Sequence, residues 1–186
     1  MVGISNRVAY DGQMVSAAGT LDPGPIGTLL GPSRWINVDG DASSKWCPAE
    51  GEQVVDLMVQ IAKAGILAPD IFIVTPFRIV AQELRRRLEL EPGLFSALGV
   101  DGRKWLRDRV GTIHTVQGRE ADSVILVLGA PTSAQGGARS WAAGTPNIIN
   151  VAVSRAKQNL YVVGSYGAWS GVGYAQELAA LCERTH

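Results

Sequence analysis

The chain has little of what marks several protein classes. Its 186 residues include two cysteines, Cys47 and Cys182, far apart and outside any CxxC pair. No disulfide framework or thiolate metal site is encoded, so a reducing compartment is the expectation. Both thiols read as small buried apolar residues. Neither charge is in excess, since 17 Lys and Arg balance 17 Asp and Glu. That excludes a protein gripping nucleic acid by bulk positive charge, and any such contact has to come from a local surface. No apolar run approaches the roughly 20 residues that span a bilayer. The first residues lack the basic segment and apolar stretch of a signal peptide. These absences lead to the expectation of a cytoplasmic protein with no membrane partner.

What remains is ordinary globular composition, with 46% hydrophobic residues, 18% charged, 22 Gly and 9 Pro. The length suits one good-sized domain. Residues 1–33 are punctuated by Gly and Pro and read as an arm or linker from an upstream domain. Residues 34–186 read as the folded domain. Within it, residues 35–39 alternate as a strand does. Residues 49–64 place Val54, Met58 and Ile61 at helical spacing, with Val55 and Leu57 widening the face, and Gly65 closes the helix. Residues 71–74 form a continuous apolar run between prolines, as expected of a strand buried on both faces. A second helix over 77–90 has Val80, Leu84 and Leu88 on its core face. The run Arg85, Arg86 and Arg87 reads as a solvated side of that helix.

Further on, residues 110–114 and 124–128 predict strands. Residues 129–144 read as a loop, and 145–157 as a helix opening on Thr145 and Pro146. Residues 160–163 predict the last strand and 174–184 a closing helix. Alternation of strands and helices predicts a three-layer α/β/α domain on a mostly parallel sheet.

Two segments carry polar residues that a plain core element does not need. The first runs from Thr112 through His114, Thr115, Gln117, Gly118, Arg119 and Glu120 to Asp122. A strand runs into a dense polar cluster before the next strand begins. In open parallel sheets such clusters gather at the carboxyl ends of strands, where ligands bind. Thr112, His114 and Thr115 are able to meet phosphates without adding net charge. The second segment holds Asn147, Asn150, Ser154 and Lys157 on one helix face. Arg155 lies beside that stripe, either complementing the helix carboxyl end or presented to an anion. The five tryptophans read as packing residues rather than base-stacking platforms.

These residues resemble motifs of superfamily 1 helicases. Residues 111–122, Gly-Thr-Ile-His-Thr-Val-Gln-Gly-Arg-Glu-Ala-Asp, look like motif V. Residues 150–157, Asn-Val-Ala-Val-Ser-Arg-Ala-Lys, followed by Leu-Tyr-Val-Val-Gly, look like motif VI. Residues 73–77, Ile-Val-Thr-Pro-Phe, with Gln82 beyond, resemble motif IV, where the family usually has Tyr at position 77. The similar group includes the nonsense-mediated-decay RNA helicase and the Okazaki-fragment helicase-nuclease.

The resemblance implies the second of two RecA-like domains, with ATP and Mg²⁺ in the cleft between them and single-stranded DNA or RNA across their tops. Arg155 would be the arginine finger on the γ-phosphate. Glu120 would hydrogen-bond the ribose, and Gln117 would couple nucleotide to strand. Ser154 and Glu50 would belong to the ATP-binding set. Thr75, Pro76, Thr112, His114 and Thr115 would lie along the nucleic acid, and travel would be 5′ to 3′. Near Glu50 the family often has an Asn and an Arg. Here the stretch reads Lys45-Trp46-Cys47-Pro48, with Lys45 the nearby cation. The chain has no GxxxxGK[ST] phosphate loop and no Asp-Glu pair after an apolar strand. Both belong to the upstream RecA-like domain in the family, so ATP and Mg²⁺ would be bound mainly there. This chain alone is expected to be inactive. The competing reading is a non-motor nucleic-acid-binding or scaffolding module of a larger nuclease or defence protein.

Overall fold

The computed structural model describes residues 22–116, 118–144 and 154–185. Its centre is a six-stranded sheet in the order β3-β2-β4-β5-β1-β6. The strands are β1 (Arg34–Asn37), β2 (Ile71–Thr75), β3 (Val110–Thr112), β4 (Ala121–Val127), β5 (Ala156–Gly164) and β6 (Glu183–Thr185). Every pairing is parallel. A parallel sheet is covered on both faces, so its inner strands read as unbroken apolar runs. All five residues of β2 are buried, and β4 is buried throughout except at Asp122.

The helices are α1 (Gly24–Leu30), α2 (Pro48–Lys63), α3 (Arg78–Glu89), α4 (Leu94–Ala97), α5 (Gly102–Arg109), α6 (Gly136–Ala143), α7 (Tyr166–Trp169) and α8 (Ala175–Leu181). α2 starts with Pro48 in its first turn and buries Val54, Leu57, Met58 and Ile61. α3 buries Val80, Ala81, Leu84 and Leu88. From β1 through β3 the chain steps one way across the sheet, and from β4 to β6 it steps back. Right-handed crossovers then place the two groups of helices on opposite faces, which gives the α/β/α layering.

Several elements differ from the sequence reading. Residues 24–30, read as part of an arm, form a helix that buries Ile26 and Leu30. Its prolines flank or open the first turn, where a missing N–H costs nothing. Residues 136–143, read as loop, form α6. The closing helix stops at Leu181, because residues 183–185 leave it to pair with β1. β5 begins at Ala156, so Lys157 is an exposed strand residue and not part of a helical stripe. Asn147 and Asn150 lie outside the described residues. The arginine run is not simply solvated. Arg85 donates from Nε and Nη2 to the Val110 carbonyl at 2.8 and 2.5 Å, on the strand at the sheet's edge. Arg87 forks onto Glu52 of α2 at 2.7 and 2.8 Å. Cys47 and Cys182 are free and buried, as expected. Among the described residues no helix is long and apolar enough to cross a membrane.

Candidate functional site

In a parallel sheet all strands start at one edge and finish at the other. The polar segment after β3 therefore has to return across the sheet before β4 begins. It does so through a 3₁₀ turn at Ile113–Val116, and so joins two separate surfaces. Thr112, His114 and Thr115 stay at the carboxyl edge, while Arg119 and Glu120 reach the amino edge just before Ala121. The single cluster at the carboxyl edge that the sequence suggests is divided in two.

At the carboxyl edge lies a cleft of about 1060 Å³, lined in part by Lys45, Pro76, Arg78, Thr112, His114 and Thr115. The turn beneath it is held by the Thr115 hydroxyl, which donates to the Thr112 carbonyl at 2.6 Å. A Cβ at Gly111 would sit 2.2 Å from the Thr115 Oγ1, so the glycine leaves room for this hydroxyl to close the turn. His114 and Thr115 are exposed and Thr112 is 8% exposed. Thr75 is fully buried. Its hydroxyl accepts the Phe77 amide at 3.3 Å, so it shapes the backbone at the start of α3 and does not line the cleft. Pro76 does line it.

Trp141 and Arg78 belong to this surface and are not placed there by the sequence reading. Trp141, on α6, is 55% exposed at the cleft, which corrects its reading as a packing residue. The signal was weak, because α6 opens on two glycines and reads as loop. Arg78, the first residue of α3, lines the cleft as well.

At the amino edge, just before β5, Ser154 and Arg155 are helical and half-buried. The Arg155 Nη1 donates to the Arg119 carbonyl at 3.3 Å, and its Nη2 to the Ser154 hydroxyl at 3.0 Å. The guanidinium thus lies against the loop that presents exposed Glu120. That loop is anchored from beneath. The Arg119 and Arg109 guanidiniums each sit 5.0 Å from the Phe72 ring centre. Asp70 ties the same corner, accepting Arg109 at 2.6 Å and the Asp122 amide at 3.1 Å. Gln117 lies outside the described residues.

Glu50 does not join Arg155 and Glu120. It follows β1 at the start of α2, at the carboxyl edge, and is completely buried. Its Oε2 accepts the Gly129 amide at 2.8 Å, while Oε1 is buried with no hydrogen-bond partner. Burial pushes its carboxyl up to about 8, opposed by the Gly129 N–H. Lys45 lines the carboxyl-edge cleft with its Nζ 5.7 Å from the Phe77 ring centre, so it too lies apart from Arg155.

A family model described as an AAA domain (AAA_12) matches residues 25–167. Among solved structures, the chain is similar to the C-terminal domain of a possible DNA helicase from Lactobacillus plantarum WCFS1. The two are 14% identical with a TM-score of 0.50, over 92% of this chain and 100% of that one. Identity at this level speaks to the fold, which is RecA-like. No curated protein matches the chain.

Proposed function

Because the chain belongs to the AAA domain family, we propose that it is the C-terminal motor domain of an ATP-dependent superfamily 1 helicase. The observation that carries this reading is the placement of Arg155. Its half-buried guanidinium lies on the amino edge, against the carbonyl that precedes exposed Glu120. An arginine, a hydroxyl and a carboxylate on one rim suit the γ-phosphate and ribose of a nucleotide held from the other side. By the family resemblance, ATP and Mg²⁺ would be held mainly by an upstream RecA-like domain of the same polypeptide.

Bound there, ATP would supply a phosphoryl group for transfer to water. This chain's part is electrostatic. Arg155 offsets the charge that builds on the transferring group, an effect worth about 10³–10⁵ in rate. Glu120 orients the ribose. Single-stranded DNA or RNA would lie in the carboxyl-edge cleft, against Pro76, Thr112, His114 and Thr115. In sequence, Gln117 falls between the residues of the two surfaces, and it would couple nucleotide to strand. Closure of the two domains on nucleotide would then shift the grip on the strand, a hinge-type switch.

The test uses a protein that joins this chain to its nucleotide-binding domain. Arg155→Ala should cut strand-stimulated ATP hydrolysis by about 10³-fold or more while nucleotide binding persists. Hydrolysis surviving that change would remove the finger role. Strand binding with no hydrolysis in the parent protein would favour the non-motor binding module.

A further inference from the structure

We propose that Trp141 is a stacking platform for one base of the single strand in the carboxyl-edge cleft, backed by Phe77. This rests on the cleft being the strand's track, as argued above. Of the five tryptophans, Trp35, Trp105 and Trp169 are buried and Trp46 is half-buried. Trp141 alone is exposed, and it sits on the cleft lining. An indole left largely in water forgoes the burial that its large apolar area offers. A flat base restores it.

The platform is rigid. α6 is seated by Ala142 and Ala143, both fully buried. Arg139 ties it down, with Nη1 donating to the carbonyls of Ala130 at 2.7 Å and Thr132 at 2.6 Å. The Phe77 ring lies 6.1 Å from the Trp141 ring at 32°. Behind it stands Trp169, at 6.5 Å, whose Nε1 donates to the Gly129 carbonyl at 2.8 Å. A ring held in this way loses little freedom when a base stacks on it.

The surroundings point to a strand and not to an apolar protein segment. Lys45 and Arg78 bring positive charge to the lining beside His114, and among the described residues no carboxylate lies there. In a chain whose charges balance, this is the local basic surface that strand binding requires. Aromatic rings for bases beside cations for phosphates are the two parts of sequence-tolerant single-strand binding.

The experiment measures binding of the purified chain to labelled oligo-dT, oligo-U and an abasic deoxyribose-phosphate strand of equal length. Trp141→Ala should weaken binding to both base-bearing strands by about 5- to 100-fold. Trp141→Phe should recover most of that loss, and the abasic strand should bind the parent and Trp141→Ala alike. Equal binding of oligo-dT by parent and Trp141→Ala would overturn the proposal and assign the indole to a protein contact. An equal loss on the abasic strand would overturn it too, by showing a general disturbance of the cleft. Failure of the parent to bind any strand would overturn both the platform and the track. Strand binding that needs Trp141, in a protein whose joined form hydrolyses no ATP, would keep the platform and remove the motor.

Discussion

The Glu50 carboxylate and the Gly129 amide, 79 residues apart in sequence, meet at 2.8 Å inside the carboxyl edge of the sheet. The contact fastens the start of α2 to the turn that follows β4. Because the carboxyl is buried, it also makes stability depend on pH. Its folded value is pushed up to about 8 from an ordinary value of 4.5. Between those values the folded chain keeps a proton that the unfolded chain has released. Stability therefore falls as pH rises through that window, by at most about 1.4 kcal/mol per unit. Glu50→Gln keeps an acceptor for Gly129 and has no charge to bury. Urea midpoints at pH 5, 6.5 and 8 should fall less steeply for the variant, which should be the more stable protein at pH 8. Parallel slopes for the two proteins would defeat the assignment.

Gly129 is required on its own account. Its φ is +64°, and a Cβ there would lie 2.7 Å from the Lys45 carbonyl oxygen. That oxygen already accepts the Ala130 amide at 2.9 Å. Gly129→Ala combines an unfavourable backbone conformation with a backbone clash, and should cost about 2 kcal/mol or more. Chemical denaturation would show a lower midpoint at unchanged slope. A midpoint within experimental error of the parent would refute the clash.

The chain by itself should not hydrolyse ATP. Arg155 and Glu120 offer one side of a nucleotide site, and an arginine acting on a γ-phosphate accelerates nothing unless the phosphates are held. Phosphate release by the purified chain, with and without single-stranded DNA, should stay at the buffer rate. Strand-stimulated turnover would mean that the chain contains its own cradle.

His114→Ala and Thr115→Ala, in a protein joined to its nucleotide-binding domain, should raise the strand concentration needed for half-maximal stimulation. Basal hydrolysis should change little. The effect should be larger for Thr115, whose hydroxyl also closes the turn onto Thr112. An unchanged activation constant in both variants would take the strand away from this edge.

How much of this was readable in the residues depended on who the neighbours were. β2 and β4 announce themselves, because a strand buried on both faces has to be apolar throughout. α2 and α3 are legible from their 3–4 spacing. β6 is not. Glu183, Arg184 and Thr185 are polar, and only their pairing with β1 makes them a strand. α6 is hidden by Gly136 and Gly137, whose weak helix propensity is overridden by the burial of Ala142 and Ala143. For the site, residue types named Arg155 and Glu120, and the fold places them along one rim. It could not be read from spacing that Glu50 lies on the other edge, or that Thr75 spends its hydroxyl on a backbone amide. The first follows from where a parallel sheet starts and finishes its strands, and the second from a local turn at the end of β2.

The place of β1 in the sheet has a consequence for synthesis. This early strand is flanked by β5 and β6, and its Trp35 Nε1 donates to the Gly164 carbonyl 129 residues later. A growing polypeptide emerges amino end first. The segment around Trp35 must therefore wait in the open until nearly the whole domain has left the ribosome. During that interval Trp35 and Ile36 lack the strand partners that bury them in the folded domain. The domain closes around its own beginning, and a nascent chain that stalls before β5 leaves that beginning uncovered.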